Sequence, residues 1–146
     1  MYRPASPRTA DAYRRIGVET SMHTIDQHQI VSLLYDGLLQ SLATARGALA
    51  RGDVAGKCNA IARALRILEE GLSTGLDRVE GGELAENLAA LYDYCTRRLI
   101  LANAQNDDAL LQEVQRLIEP VAQGWKSIKQ PAAVAPAAAA PVAMGV

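Results

Sequence analysis

The chain has 146 residues, enough for one domain and a tail. Its composition, 49% apolar and 21% charged, is that of a foldable globular chain, and the apolar stock is almost all Leu, Ala, Ile and Val, with no Phe and one Trp. A formal net charge of −1 leaves no electrostatic footprint for nucleic acid or for an anionic membrane surface.

Residues 1–25 begin loosely around Pro4, Ser6 and Pro7, and the first fifteen contain no apolar run of the kind a secretory signal needs. Ala10 to Ile16 make about two turns of helix, too short to persist in water unless docked. Tyr13 and Ile16, three apart, form its docking face.

Asp26, with Gln29 three residues on, predicts a capped helix start. A stripe of Ile30, Leu33, Leu34, Leu38, Leu42, Ala45 and Leu49 then runs to Ala50, a helix roughly 35 Å long. Gly52 and Asp53 supply a stop and a new start. The second helix is expected from Val54 to Ser73, with Cys58, Ile61, Ala64, Leu65, Leu68 and Leu72 inward. Gly71 and Gly75 weaken its end, and Gly81-Gly82 break the chain before Glu83.

The third helix, Leu84 to Asp107, carries Leu84, Leu88, Leu91, Tyr92, Cys95, Leu99 and Ala102 on one line. A second apolar line runs beside it through Ala89, Ala90, Tyr94 and Leu101. A helix with one wet face needs only one such line, so the second implies a further partner. Asn106 or Asp107 caps a fourth helix with the stripe Leu110, Val114, Leu117, Ile118, Val121, Trp125 and Ile128. Pro120 inside it removes one backbone donor and predicts a kink. Residues 131–146 are mostly Ala, interrupted by three prolines; they are too short to cross a bilayer and read as a disordered tail.

The expected fold is all-α: an antiparallel four-helix up-down-up-down bundle over residues 26–130, with a short helix from residues 1–25 packed on it and a tail over 131–146.

Catalytic chemistry finds no foothold. His23 and His28 are five apart and share no helix face, and without a Glu-x-x-His pair they read as exposed residues near a helix start. Cys58 and Cys95 form no CxxC and sit in apolar helical patterns, which makes them small buried hydrophobes of a reducing compartment. Gly81-Gly82 lacks the surrounding motif of a phosphate loop. Arg14-Arg15 and Arg97-Arg98 read as solvated faces or ion-pair partners. The expectation is a protein that is not an enzyme, with no cofactor and no metal. Gly37, Gly47, Gly71 and Gly124 inside helices allow close backbone approach, either by the bundle's own helices or by a partner.

An ordered set of short matches makes the chain resemble the bacterial flagellar secretion chaperone family FliS. The matches are Met1-Tyr2, Ala12-Tyr13, Val18-Glu19-Thr20, Leu34-Tyr35-Asp36-Gly37, Gly81-Gly82-Glu83, Asn87-Leu88 and Leu91-Tyr92-Asp93-Tyr94. They continue through Arg97-Arg98-Leu99, Ala102-Asn103, Asn106-Asp107 and Glu113-Val114 to Trp125. Asp26-Gln27 stand where the family usually has Ser-Pro, and Cys95 where methionine is common.

The resemblance implies a cytoplasmic export chaperone that binds the C-terminal segment of flagellin, disordered in the monomer and helical in the filament. It would prevent premature polymerisation and deliver the subunit to the type III export gate, by helix-in-groove recognition coupled to folding. Tyr94 and Leu101 on the second line, with Leu72, Leu84, Leu88 and Arg98, are the expected flagellin contacts. Tyr2, Tyr13, Ile16 and Val18 are the expected N-terminal lid and export-gate contacts. Partners are then flagellin, an export-gate component and other cytoplasmic flagellar regulators, with neither nucleic acid nor membrane insertion. The alternatives are a self-associating helical structural protein and a helical-bundle cofactor carrier.

Overall fold

The computed structural model describes residues 26–76 and 78–128, without the side chains of residues 78–80. The short helix expected around Tyr13 and the Pro/Ala segment lie outside the described residues. Among the described residues every regular element is helical.

Helix α1 spans Gln27–Ala50, and the Asp26 carboxylate accepts from the Gln29 N–H at 2.8 Å, as its spacing predicts. Ile30, Leu34, Leu38, Leu42 and Ala45 are buried. Leu33 departs from the expected stripe at 40% exposed, while Tyr35 beside it is buried. The helix ends in a Schellman turn, with Gly52 at φ 77°, the Asp53 N–H on Ala48 O at 2.8 Å and the Gly52 N–H on Leu49 O at 3.1 Å. Asp53 then caps α2, Val54–Arg66, by accepting from the Gly56 N–H.

The second helix differs from expectation. Its α geometry stops at Arg66, and Ile67–Ser73 form a π-helical segment. Lys57, Ala60, Ile61 and Ala64 face inward in α2, whereas Cys58 and Leu65 are only half-buried.

Helix α3 is continuous in hydrogen bonding over Arg78–Gln105 but is broken at Gly82, φ 55° and ψ −132°, where the glycine pair predicts a break. Its inward line is Ala85, Tyr92, Cys95, Leu99 and Ala102. Leu84, expected at the head of that line, is 66% exposed. At about 100° per residue, position 85 lies within about 20° of position 92, while position 84 lies about 80° away. The alanine therefore takes the inward place and the leucine faces out. Asn106 at φ 52° ends α3 in a second Schellman turn, with the Asp107 N–H on Ala102 O at 3.2 Å.

Asp107 caps α4, Asp108–Ser127, which runs through Pro120 as one helix. Leu110, Leu111, Val114, Ile118 and Ala122 face inward. Leu117, Val121 and Trp125 of the expected stripe are half-buried, and Ile128 is 43% exposed.

Helix α1 packs on α2, on the π segment and on α4; α3 packs on α2, on the π segment and on α4. Leu34, Leu38, Leu42, Ile61, Leu68, Cys95, Leu99, Leu111, Val114 and Ile118 are fully buried between them. Each such leucine or isoleucine contributes about 1.5–3 kcal/mol of transfer free energy, the main source of cohesion.

Candidate partner-binding surface

Polar contacts between helices fix which faces stay closed. At the start of α1, His28 stacks on Trp125 of α4 with ring centroids 4.9 Å apart and planes inclined by 19°. The His28 Nε2–H donates to Trp125 O at 2.9 Å, and the Trp125 Nε1–H donates to His28 O at 3.0 Å. The expected free surface histidine is thus a clasp between two helix ends. Asp36 and Lys126 add an ion pair on the same two helices. Farther along, Arg46 reaches Asp108 with both Nε and Nη2 at 2.8 and 3.0 Å, and Gln115 with Nη1.

Between α3 and α4, Glu113 accepts from the Tyr94 hydroxyl at 2.5 Å and from Arg98 Nε at 2.8 Å. The Arg98 guanidinium also lies 5.6 Å from the Tyr94 ring centroid. The Tyr94 and Arg98 bonds hold the Glu113 carboxyl below its ordinary range, and the same hydrogen bond raises the Tyr94 phenol. Both Tyr94 and Arg98 are half-buried. Arg98 is an ion-pair partner rather than a solvated charge.

Between α2 and α3, the buried Lys57 ammonium donates to Asn103 O at 2.9 Å and to Asn103 Oδ1 at 2.8 Å, and the Cys58 thiol donates to the same Oδ1 at 3.4 Å. Cys95 is fully buried, and desolvation, with the Glu113 charge second, pushes its thiol up to about 12. A thiol so placed is not a nucleophile at neutral pH. Cys58 is half-buried, which corrects its expected core position.

The expected contact residues divide into three groups. Tyr94 and Arg98 are brought together on Glu113, with Leu101 half-buried against the core farther along α3. The second apolar line is therefore only partly open. Leu72 is 4% exposed and belongs to the core, a correction to its expected surface role. Leu84 is open to solvent, and Leu88 and Leu91 after it are half-buried against the core. The start of α3 and the π segment with Leu76 after it thus form one end of the molecule rich in incompletely covered leucines. Tyr2, Tyr13, Ile16 and Val18 lie outside the described residues.

Ile100, 54% exposed, is a large apolar group missing from the expected contact set. The signal for it was the outward spacing of Asp93, Arg97, Ile100 and Ala104, all exposed on one face. Among the described residues no group of His, Cys, Asp and Glu side chains could hold a metal ion, and no helix is long and apolar enough to cross a membrane.

Comparison with known proteins gives this all-helical scaffold its family. The flagellar protein FliS family model matches residues 9–132. The flagellar secretion chaperone FliS of Salmonella typhimurium is 42% identical over 117 residues, covering 80% of this chain and 87% of that protein. The Escherichia coli chaperone of the same name is 39% identical over 115 residues, covering 79% and 85%. Flagellar secretion chaperone FliSB of Pseudomonas aeruginosa is 40% identical over 116 residues, covering 80% and 91%. With the match running from ahead of α1 to beyond the end of α4, the chain belongs to the FliS family of flagellar secretion chaperones, which are not enzymes.

Proposed function

We propose that this chain is a cytoplasmic chaperone that holds the C-terminal segment of flagellin, keeps it from polymerising prematurely and delivers it to the flagellar export gate. The observation that carries this reading is the exposure of Leu84, with half-buried Leu88 and Leu76 nearby, on a chain of this family. An amphipathic segment that is unfolded in the free client can lay its apolar side on such leucines. Ordering the client offsets much of the gain, so a long interface of aliphatic contacts suits the task.

The same reading arranges the helices as an antiparallel up-down-up-down bundle. It is supported by α1–α4 links that pair the start of one helix with the end of the other, His28 with Trp125 and Arg46 with Asp108. The Lys57–Asn103 link does the same for α2 and α3. Residues 1–25 then serve as a lid carrying Tyr2, Tyr13, Ile16 and Val18, which yields to the client and meets the export gate.

The test is size-exclusion chromatography with light scattering on the full chain, alone and with a peptide of the flagellin C-terminal segment. A mixed complex is expected, weakened about tenfold in Leu84→Glu, whose exposed position leaves the fold intact. A concentration-dependent homo-oligomer that ignores the peptide would replace this reading with self-association.

A further inference from the structure

The second helix does not finish as it began. From Ile67 to Ser73 the backbone bonds as a π-helix, i→i+5, a geometry that is rare, short and concentrated at functional sites. Ile67, Leu68, Gly71 and Leu72 are buried within it.

On its outer side the widened turn is held by a side chain: the Thr74 hydroxyl donates to Glu69 O, five residues back, at 2.8 Å. Immediately afterwards the Gly75 N–H reaches Gly71 O at 3.3 Å and the Leu76 N–H reaches Ser73 O at 3.2 Å. Across ten residues the spacing tightens from five to four to three. Glycine at positions 71 and 75 makes the backbone there unusually free to change.

The helix before this segment is anchored. Lys57 is bonded to Asn103, and Arg63 Nη1 donates to Gly37 O at 3.1 Å and to Ser41 Oγ at 2.7 Å. The segment after Arg66 is packed on α1 and on α3, and α3 is the helix that carries the uncovered Leu84 and half-buried Leu88. A wide turn thus separates a fixed helix from the apolar end.

We propose that the π segment is a register switch, in which converting the i→i+5 turn to i→i+4 turns Leu72 out of the core to join Leu76 and Leu88 against a bound apolar helix. The inference rests on the reading that flagellin's C-terminal segment is the client. One residue of register is a rotation of roughly 100° in an α-helix. With α2 held at Arg63, that rotation falls on the residues after Arg66. In the free chain Leu72 is covered by the core and the widened turn is kept. When a client helix supplies apolar surface, the α register gains a contact that the π register lacks, and the population shifts. Leu72 is then a contact residue that is hidden until the client arrives.

Two measurements on the full chain test this. Hydrogen exchange over residues 67–76 is expected to be faster than over 54–66 in the free protein and to slow at least tenfold on adding the flagellin C-terminal peptide. Deleting one of Glu69 and Glu70, which gives the same chain either way, removes the extra residue of the wide turn. The deletion is expected to keep the helical circular dichroism and thermal midpoint but to change peptide affinity at least fivefold. Thr74→Val, which removes only the hydroxyl on Glu69 O, is expected to change affinity in the same direction and serves alone if the deletion does not fold.

Peptide binding with unchanged exchange over 67–76 and unaltered affinity in the variants overturns the switch and leaves the chaperone reading standing. Failure of the wild-type chain to bind the peptide removes both.

Discussion

Tyr35 of α1 and Tyr92 of α3 meet hydroxyl to hydroxyl at 2.5 Å in the interior, and they are 1% and 2% exposed. Burial raises both phenols above their ordinary value, so both are neutral in the folded state. Each ring fills core volume, and each hydroxyl depends on the other. Removing one hydroxyl leaves its partner buried without a bond, at a cost of about 1–3 kcal/mol, whereas removing both leaves two well-packed rings. Tyr35→Phe and Tyr92→Phe are each expected to lower stability by that amount in urea titration. The double variant is expected to lie closer to wild type than the worse single one. Additive losses would show that the pair is not coupled.

The local features were the legible ones. Asp26, Asp53 and Asp107 cap the helices that follow them, and Gly52 and Gly82 adopt positive φ where the chain must turn. Those features depend on a few neighbouring residues, which periodicity and turn chemistry read directly. What stayed hidden depends on distant partners. A lysine in a helix reads as surface, yet Lys57 is buried because Asn103, 46 residues away, accepts from it twice. His28 is held by a tryptophan 97 residues away. The exposure of Leu84 turned on a single position of register against Ala85, and the π turn leaves the apolar spacing of α2 unchanged. For the candidate site, the leucines of α3 were legible as a group, but which of them stay open was decided by α4 through Glu113.

The Lys57–Asn103 link should respond asymmetrically to its two possible removals. Asn103→Ala leaves a buried ammonium with only the backbone carbonyl, and Cys58 loses its acceptor as well. Lys57→Met removes the charge, keeps most of the apolar stem and leaves a half-buried amide that water can reach. Breaking a buried charged contact from the acceptor side costs more than replacing the charge with a hydrophobe. Asn103→Ala is expected to destabilise by about 1–3 kcal/mol and Lys57→Met by less, as read by chemical denaturation.

Glu113 gives the fold an acid-sensitive link between α3 and α4. Its native affinity for protons is lowered, first by the Tyr94 hydrogen bond and then by that of Arg98. The unfolded state therefore binds the proton more readily. The contribution is complete above the ordinary glutamate range and is lost as pH falls through the lowered native value. Glu113→Gln keeps an acceptor for Tyr94 but no charge for Arg98. It is expected to lower stability at pH 7 and to flatten the decline of stability between about pH 5 and pH 3. Thermal midpoints measured across that interval give the comparison, and parallel acid limbs in the two proteins would remove Glu113 as the source.

The two thiols should separate sharply under alkylation. Cys95 is fully enclosed between α3 and its neighbours, and burial together with the Glu113 charge pushes its thiol up to about 12. At pH 8 only about one such group in ten thousand is thiolate even before access is counted. Cys58 is half-buried near the start of α2, where its thiol donates to Asn103 Oδ1. With iodoacetamide on the native chain, one label is expected quickly, on Cys58, and the second only on the timescale of global unfolding. Peptide mapping identifies the labelled site. Cys95→Ser is expected to cost more stability than Cys58→Ser, because a hydroxyl placed among Leu99, Tyr92 and their neighbours must be desolvated. Native labelling of Cys95 at a rate near that of Cys58 would mean that α3 opens locally without the rest of the bundle, and exchange at the amides of residues 92–99 would then be equally fast.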